Sequence, residues 1–240
     1  MTHIDASQMD YRQLNAAIRS SSGDIAVTGC LGQRFIGAGL GHDCLTITGT
    51  PGNALGAYLD GACIEVRGDA QDAVGDTMNA GRIVVHGSIG DAAGYAMRGG
   101  ELYVAGNAGY RAGIHMKAYG DRLPVMVIGG RAGSFLGEYQ AGGIIIVLGL
   151  TESSRPIVSN FPCTGMHGGK LFLRSDCRDI LFPGQVVARP AGEEDLQEIE
   201  TYLHTFCRLF GGRCRELLRH PFTVVTPNSS DPYRQLYVTN

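Results

Sequence analysis

Short apolar segments that each end in glycine recur along this chain. Seven of them close at Gly29, Gly49, Gly68, Gly87, Gly106, Gly129 and Gly149. The middle of the series keeps a period of 19 residues, and a fixed short period is typical of repeat proteins, whose units bury their apolar faces against one another. A strand–helix–strand unit needs roughly 30 residues. The pattern therefore predicts an all-β fold, a right-handed parallel β-helix (a single-stranded solenoid) with one coil per repeat.

Alternation within the segments predicts which side chains point into the coil. The first and third residues are apolar, so period 2 sends both to one face of the strand. In the last two coils the expected inward pairs are Val125 with Val127 and Ile145 with Val147. The outward residues of these coils are also apolar, namely Met126, Ile128, Ile146 and Leu148. Since an exposed face is not built that way, we expect the chain's own tail or a partner to cover them.

A second arm of each coil follows a second series of glycines. Its third residue is Leu59, Met78, Met97 and Met116 in successive coils. Methionines at this spacing would suit a soft metal, but Leu59 continues the column and methionine fills gaps in cores, so an inward column is predicted. The next residue, predicted to face solvent or a partner, is Asp60, Asn79, Arg98 and Lys117.

The two ends of the chain read as α-helical caps. We divide the chain into an N-terminal helical cap (1–23), the β-helix (24–190), and C-terminal helices with an extended tail (191–240). Ser7 and Asp10 resemble a capping box for a helix over 7–19. A helix over 193–210 stops at Gly211, a short one spans 213–219, and Ile180 with Phe182 reads as a strand.

Composition narrows the classes of partner and site. A net charge of −3 offers no footprint for nucleic acid or an anionic membrane. The N-terminus lacks the features of a signal peptide, and the seven cysteines lack paired spacing, which favours reduced thiols in the cytoplasm. Because there is no CxxC or HExxH motif, no metal site is expected.

Candidate catalytic motifs are weak. Gly37–Gly41 resembles a nucleotide loop, but a strand follows it where a dinucleotide fingerprint needs a helix. His115 and His167 lie beside glycine corners, where a polysaccharide-cleaving β-helix would need neighbouring acids. No such clustered carboxylates stand out. We therefore expect no catalytic, cofactor-binding or metal residues, with an independent carbohydrate-active β-helix enzyme as the alternative.

The run from Gly49 to Gly149 resembles the GXGXG domain of glutamate synthase. The segments DAVGDTMNAG and RAGSFLGEYQAGGIIIVLGL look more like its stand-alone versions, found among archaeal-type glutamate synthases and in N-methylglutamate synthase of methylamine metabolism. The C subunit of formylmethanofuran dehydrogenase is a more distant relative. The resemblance implies a role in nitrogen metabolism as a non-catalytic scaffold within a hetero-oligomer that makes glutamate or N-methylglutamate. It also implies two partners, a glutamine amidotransferase subunit and a synthase subunit that carries FMN and an iron–sulfur cluster, and no activity in the isolated chain.

Two further expectations concern the outer surface. Cys44 and Cys63 should be stacked neighbours one period apart, and Arg82 with Glu101 should form an ion pair in the same column. The residues predicted to contact partners are Arg98, His115, Lys117, Met126, Ile128, Glu138, Ile146 and Leu148.

Overall fold

The computed structural model of this protein describes residues 1–151 and 153–228. The first part of its sheet contains β1 (Thr2–Asp5), β2 (Ile25–Leu31), β3 (Cys44–Thr50), β4 (Asp60–Arg67), β5 (Ala80–Val85) and β6 (Glu101–Val104). The rest contains β7 (Val125–Ile128), β8 (Ala141–Val147), β9 (Gly168–Leu173), β10 (Val186–Pro190) and β11 (Thr223–Pro227). Its helices are α1 (Tyr11–Ser20), α2 (Glu193–Phe210) and α3 (Cys214–Leu218).

The chain folds as a parallel β-solenoid of about eight turns, which confirms the predicted fold class. All eleven strands belong to one sheet, in the order β1 to β9, then β11, then β10. Strands β1 to β9 pair in parallel, each with the next, whereas β11 pairs antiparallel with both β9 and β10. The sheet therefore grows by one coil at a time until β11 and β10 change its direction.

One predicted orientation is wrong, that of the coil containing β7. Leu102 and Val104 of β6 pair with Met126 and Ile128, which therefore point into the solenoid, whereas Val127 points outward. The physical reason is the closing glycine. Hydrogen bonds run from the Gly106 amide to the Gly87 carbonyl and from the Gly130 amide to the Gly106 carbonyl. Gly130, not Gly129, ends this repeat, and a one-residue shift sends every side chain of a strand to the other face.

The interior columns otherwise follow the prediction. Leu59, Met78, Met97 and Met116 are fully buried, as expected for core residues. A buried glutamine follows them, because the Ala141 amide bonds to the Met116 carbonyl and so places Gln140 next in the column. The Gln140 side-chain amide donates to the Gly142 and Gly143 carbonyls at 3.2 and 3.1 Å. It thereby satisfies backbone groups where the pairing of β8 with β9 shifts register.

The second arm of each coil has an alternating left-handed backbone. In the first coil Phe35, Gly37 and Gly39 have φ of 59°, 69° and 69°, with ordinary residues between them. The middle position is also left-handed, with φ of 66° at Gly94, which favours glycine, and Cys163 takes this position in the last arm with φ of 61°. The two flanking positions accept larger residues, among them Phe35, Tyr58, Arg111, His115, Phe135, Tyr139 and Phe161. These left-handed positions set the outline of one corner of the solenoid.

The N-terminal region contains one element that the sequence did not predict. Strand β1 pairs with β2, so the sheet begins inside the segment assigned to the helical cap. The N-cap of α1 is Asp10, whose side chain accepts from the Arg12 and Gln13 amides at 2.8 Å while Gln13 completes the capping box. Ser7 instead bonds to Asp5.

The C-terminal helices match the prediction better than the strands do. Helix α2 has the predicted bounds and α3 is two residues shorter than expected. Ile180 and Phe182 do not form a strand, and β10 and β11 were not predicted. The predicted extended tail lies, from residue 229 onward, outside the described residues.

Candidate partner interface

Helix α2 covers the apolar outward face of the C-terminal coils. Ile199, Leu203 and Phe206 of the helix share one buried cluster with outward residues of β6 to β9 and the residue after β8: Tyr103, Val125, Val127, Ile144, Ile146, Leu148 and Phe172. This confirms the expectation that the chain's own tail covers Ile146 and Leu148. Both are fully buried within the chain, as are the inward-pointing Met126 and Ile128. None of these four side chains presents a free surface in this structure.

Aromatic rings, most of them in contact with another ring, line the corner formed by the left-handed arms. The rings are Tyr58, Tyr95, Tyr110, His115, Phe135, Tyr139 and Phe161, hereafter the aromatic corner. His115 lies between Tyr95 and Tyr139, with ring centroids 5.8 and 5.1 Å away, and is nearly parallel to Tyr139. Tyr58 and Phe161 keep 59% and 60% of their surface exposed. Exposed aromatic residues in a row are typical of protein–protein interfaces.

Cationic side chains accompany these rings. The Arg111 guanidinium carbon lies 4.9 Å from the ring centre of Tyr110 and 5.5 Å from that of Phe135. Arg98 lies 6.0 Å from the ring centre of Tyr119. Arg98 and Lys117 are exposed, and within the described ranges neither forms an ion pair. Arg111 thus packs against the aromatic corner, and Arg98 and Lys117 are exposed cations in the column that follows the inward methionines.

Glu138 does not lie on the exposed surface as predicted. Its side chain keeps only 8% of its surface, and its carboxylate is 2.9 Å from the Arg111 Nε. Glu138 is thus ion-paired with Arg111, whose guanidinium lies near both the Tyr110 and Phe135 rings, and a direct contact between Glu138 and a partner does not fit this burial.

Comparison with known proteins assigns the fold to a family. A family model described as GXGXG motif matches residues 7–228, which is most of the chain. The chain belongs to the GXGXG motif family. It is 42% identical over 248 residues to uncharacterized protein MJ1350 of Methanocaldococcus jannaschii, covering 98% of this chain and 95% of that protein.

A solved structure shares the solenoid of this GXGXG protein. It is a chain of the formyltransferase/hydrolase complex (FhcABCD) of Methylorubrum extorquens, solved in complex with methylofuran. The TM-score is 0.51 at 22% identity, over 90% of this chain and 87% of that chain. At this identity the match shows the fold.

A ladder of aspartate side chains in the GXGXG protein bonds to its backbone. Asp72 and Asp91 are stacked on consecutive coils, which the sequence reading missed, and they accept backbone amides of the next coil from Asp91 and Tyr110 at 2.9 and 2.7 Å. Across residues 1–151 and 153–228, no three His, Cys, Asp or Glu side chains are placed to hold a metal ion. No helix in those ranges is long and apolar enough to span a membrane.

Three residues of the aromatic corner share a signal in the sequence. Tyr58, His115 and Tyr139 each lie two residues after a glycine of the second series, Gly56, Gly113 and Gly137. Of these three residues, only His115 was predicted to contact a partner, as a member of an exposed outer column. The left-handed backbone, which turns these positions outward together, is what connects them.

Proposed function

We propose that this chain is a non-catalytic scaffold subunit of a glutamate synthase-like complex. It would hold a glutamine amidotransferase subunit and an FMN-binding synthase subunit in register. The observation that carries the proposal is the aromatic corner, a set of largely exposed rings on a chain of the GXGXG motif family, with the exposed cations Arg98 and Lys117 in a nearby column. Aromatic and arginine side chains dominate the energetics of protein interfaces.

The solenoid suits a positioning role because its backbone is repetitive and stiff. Each coil bonds to the next through the sheet, through the left-handed arm and through side-chain ladders such as Asp69 to Ser88. A rigid spacer of this kind fixes the separation of two active sites that exchange a small amine. The complex would contain FMN and an iron–sulfur cluster in a partner subunit, would make glutamate or N-methylglutamate, and would work in the cytoplasm.

The test is reconstitution from three separately expressed subunits. The chain is mixed with an amidotransferase subunit and an FMN-binding synthase subunit from the same organism, and complex formation is measured by size exclusion with light scattering. We expect a complex that converts glutamine to glutamate, or to N-methylglutamate when methylamine and glutamate are supplied. Flavin in the isolated chain, glutaminase activity without partners, or no association would each refute the scaffold proposal.

Charge reversal locates the interface. In Arg98→Glu/Lys117→Glu we expect association to weaken at least about tenfold, because two cations beside the aromatic corner are lost from the rim of the contact. Arg208→Glu/Arg215→Glu on α2 and α3 makes the same change in net charge at exposed sites away from the corner. This control should leave association unchanged. Equal weakening by both pairs would show a general charge effect and not a specific surface.

A further inference from the structure

Two exposed cysteines are stacked on neighbouring coils. Cys44 of β3 and Cys63 of β4 are direct register partners, as predicted. Neighbouring strands lie about 4.8 Å apart, which is within the Cα range for a disulfide, roughly 4.4–6.8 Å. The strand spacing therefore allows a disulfide between these two cysteines without a change of fold.

The surroundings of the two thiols differ in charge. Partial burial, the adjacent Cys63 and the carboxylates of Asp24 and Asp43 raise the pKa of the Cys44 thiol. On the other side, Cys63 is the register partner of Arg82, which is ion-paired with Glu101, and it borders an open cleft of about 420 Å³ that Tyr202 also lines. Cys44 does not line this cleft, so a small disulfide in the cleft meets Cys63 first. Access of this kind governs which thiol takes part in exchange. Cys63 is thus placed to attack the small disulfide first, and Cys44 to react in the second step.

The other five cysteines are shielded to a greater degree. Cys30, Cys163, Cys177 and Cys214 are buried, and Cys207 is partly buried. Burial raises the pKa of Cys30 to about 11 and that of Cys163 to about 12. Buried thiols with raised pKa values are inert. The reactive thiols of the described chain are therefore concentrated in one pair.

We propose that Cys63 and Cys44 form a site for thiol–disulfide exchange with a small-molecule disulfide. The Cys63 thiolate attacks one sulfur of that disulfide, forming a mixed disulfide and releasing one small thiolate. Cys44 then loses its proton and attacks the Cys63 sulfur, which releases the second small thiolate and leaves a Cys44–Cys63 disulfide. Two electrons pass from the pair to the small disulfide. The inference is independent of the proposed function.

Oxidised glutathione tests the proposal on the full chain. The reduced protein is incubated with it at pH 8, remaining thiols are alkylated, and intact mass and peptide maps are recorded. We expect two of the seven thiols to be lost, with the Cys44 and Cys63 peptides linked and no glutathione retained. In Cys44→Ser we expect one stable glutathione adduct on Cys63. In Cys63→Ser we expect adduct formation to be about tenfold slower, because the attacking thiolate is gone.

Cys207→Ser is the matched control, since Cys207 lies near Cys214 and is the competing pair. This variant should react as the wild-type chain does. A Cys207–Cys214 link, glutathione retained on both Cys44 and Cys63 without a bond between them, or no loss of thiols would overturn the proposal. Equal rates in Cys44→Ser and Cys63→Ser would overturn the assigned order of attack.

Discussion

The two halves of the sheet have similar apolar inner faces, but their outer faces differ in chemical character. A single outward column runs through Thr46, Glu65, Val84, Tyr103, Val127, Ile146 and Phe172. Its first two members, Thr46 and Glu65, are polar and partly exposed, and its members from Tyr103 onward lie beneath α2. Every coil must keep an apolar inner face because the coils stack on one another, whereas its outward residue can vary. In this fold the outward residue, more than the repeat, therefore determines whether solvent or a helix contacts the outer face of a coil.

Helix α2 matches the apolar part of this column in size and chemistry. Its 18 residues rise about 1.5 Å each, giving about 27 Å, enough to cross five strands about 4.8 Å apart. Each fully buried aliphatic side chain contributes roughly 1.5–3 kcal/mol. The apolar half of the sheet and the helix therefore stabilise one another, and the polar half needs no cover.

The sharpest test of this difference introduces the same charge at the two ends of the column. Ile146→Lys buries a cation in the α2 cluster, and we expect it to cost at least about 4 kcal/mol. Thr46→Lys places the same side chain beside Glu65 at a partly exposed position, where the change should stay within about 0.5 kcal/mol. Urea denaturation followed by circular dichroism measures both. Similar losses in the two variants would mean that the polar half is also covered.

A smaller effect is expected when the helix loses one apolar contact. Leu203→Ala removes a fully buried side chain from the α2 cluster, which should cost about 2–4 kcal/mol. Because Ile146 belongs to the same cluster, the pair Leu203→Ala and Ile146→Ala should be non-additive by at least about 0.5 kcal/mol. Leu203→Ala with Ile47→Ala, which lies inside the N-terminal coils, provides the control and should be additive. Additivity in both cycles would separate the helix energetically from the sheet.

The start of α2 gives a smaller, pH-dependent contribution. The Asp195 carboxylate accepts from the Arg189 guanidinium at 2.6 and 3.0 Å and from the Gly192 amide at 2.8 Å. The hydrogen bond from Arg189 lowers the pKa of Asp195 below its ordinary 3.8, and the bond from the Gly192 amide lowers it to a smaller degree. Burial acts in the opposite direction. A pKa lowered by folding adds stability above the unfolded value, and this stability is lost as pH falls through the folded value.

Asp195→Asn should therefore destabilise the chain by about 1–2 kcal/mol at pH 7. The difference from the wild-type chain should shrink as the pH falls below 3.8. Denaturant midpoints between pH 7 and pH 2.5 measure it. A difference that is independent of pH would assign the effect to side-chain shape and not to charge.

Sequence patterns predicted the features that depend on residues close together in the chain. The 19-residue period predicted the solenoid, and the apolar stripe of Ile199, Leu203 and Phe206 predicted α2, because both depend on spacing alone. The phase of β7 could not be predicted from spacing. Gly129 and Gly130 are both glycines, and only the bond from the Gly130 amide to Gly106 shows which one ends the coil. Strand β11 was missed for a similar reason, since it pairs with β9 across some fifty residues of sequence.

The candidate interface was predicted only in part because exposure is a tertiary property. Ile146 was expected to be covered, but sequence could not say whether by α2 or by a partner. Glu138 looked like an exposed charge, yet the left-handed turn directs it beneath Arg111. Arg98 and Lys117 remain exposed because their column follows the inward methionines, which fixes their direction outward. For these two residues, partner contact stays a prediction.

The smallest expected effect lies where the polar half of the sheet meets the apolar half. Arg82 of β5 pairs with Glu101 of β6, as predicted, with Nη2 2.7 Å and Nε 2.8 Å from one carboxylate oxygen. The guanidinium carbon also lies 5.8 Å from the ring centre of Tyr103, the first large residue of the apolar column. Both partners are partly exposed, so the pair is worth at most about 1 kcal/mol.

Arg82→Met keeps a flexible apolar side chain near Tyr103 and removes the charge. We expect a loss of stability below about 1 kcal/mol that shrinks further in 1 M salt. Arg67→Met, whose partner Glu65 lies 3.8 Å away on the polar half, should change stability even less. A loss of stability above about 2 kcal/mol for Arg82→Met, or one that salt does not reduce, would contradict this expectation. It would show that the ion pair holds the two halves together and that the boundary between them does not lie at Tyr103.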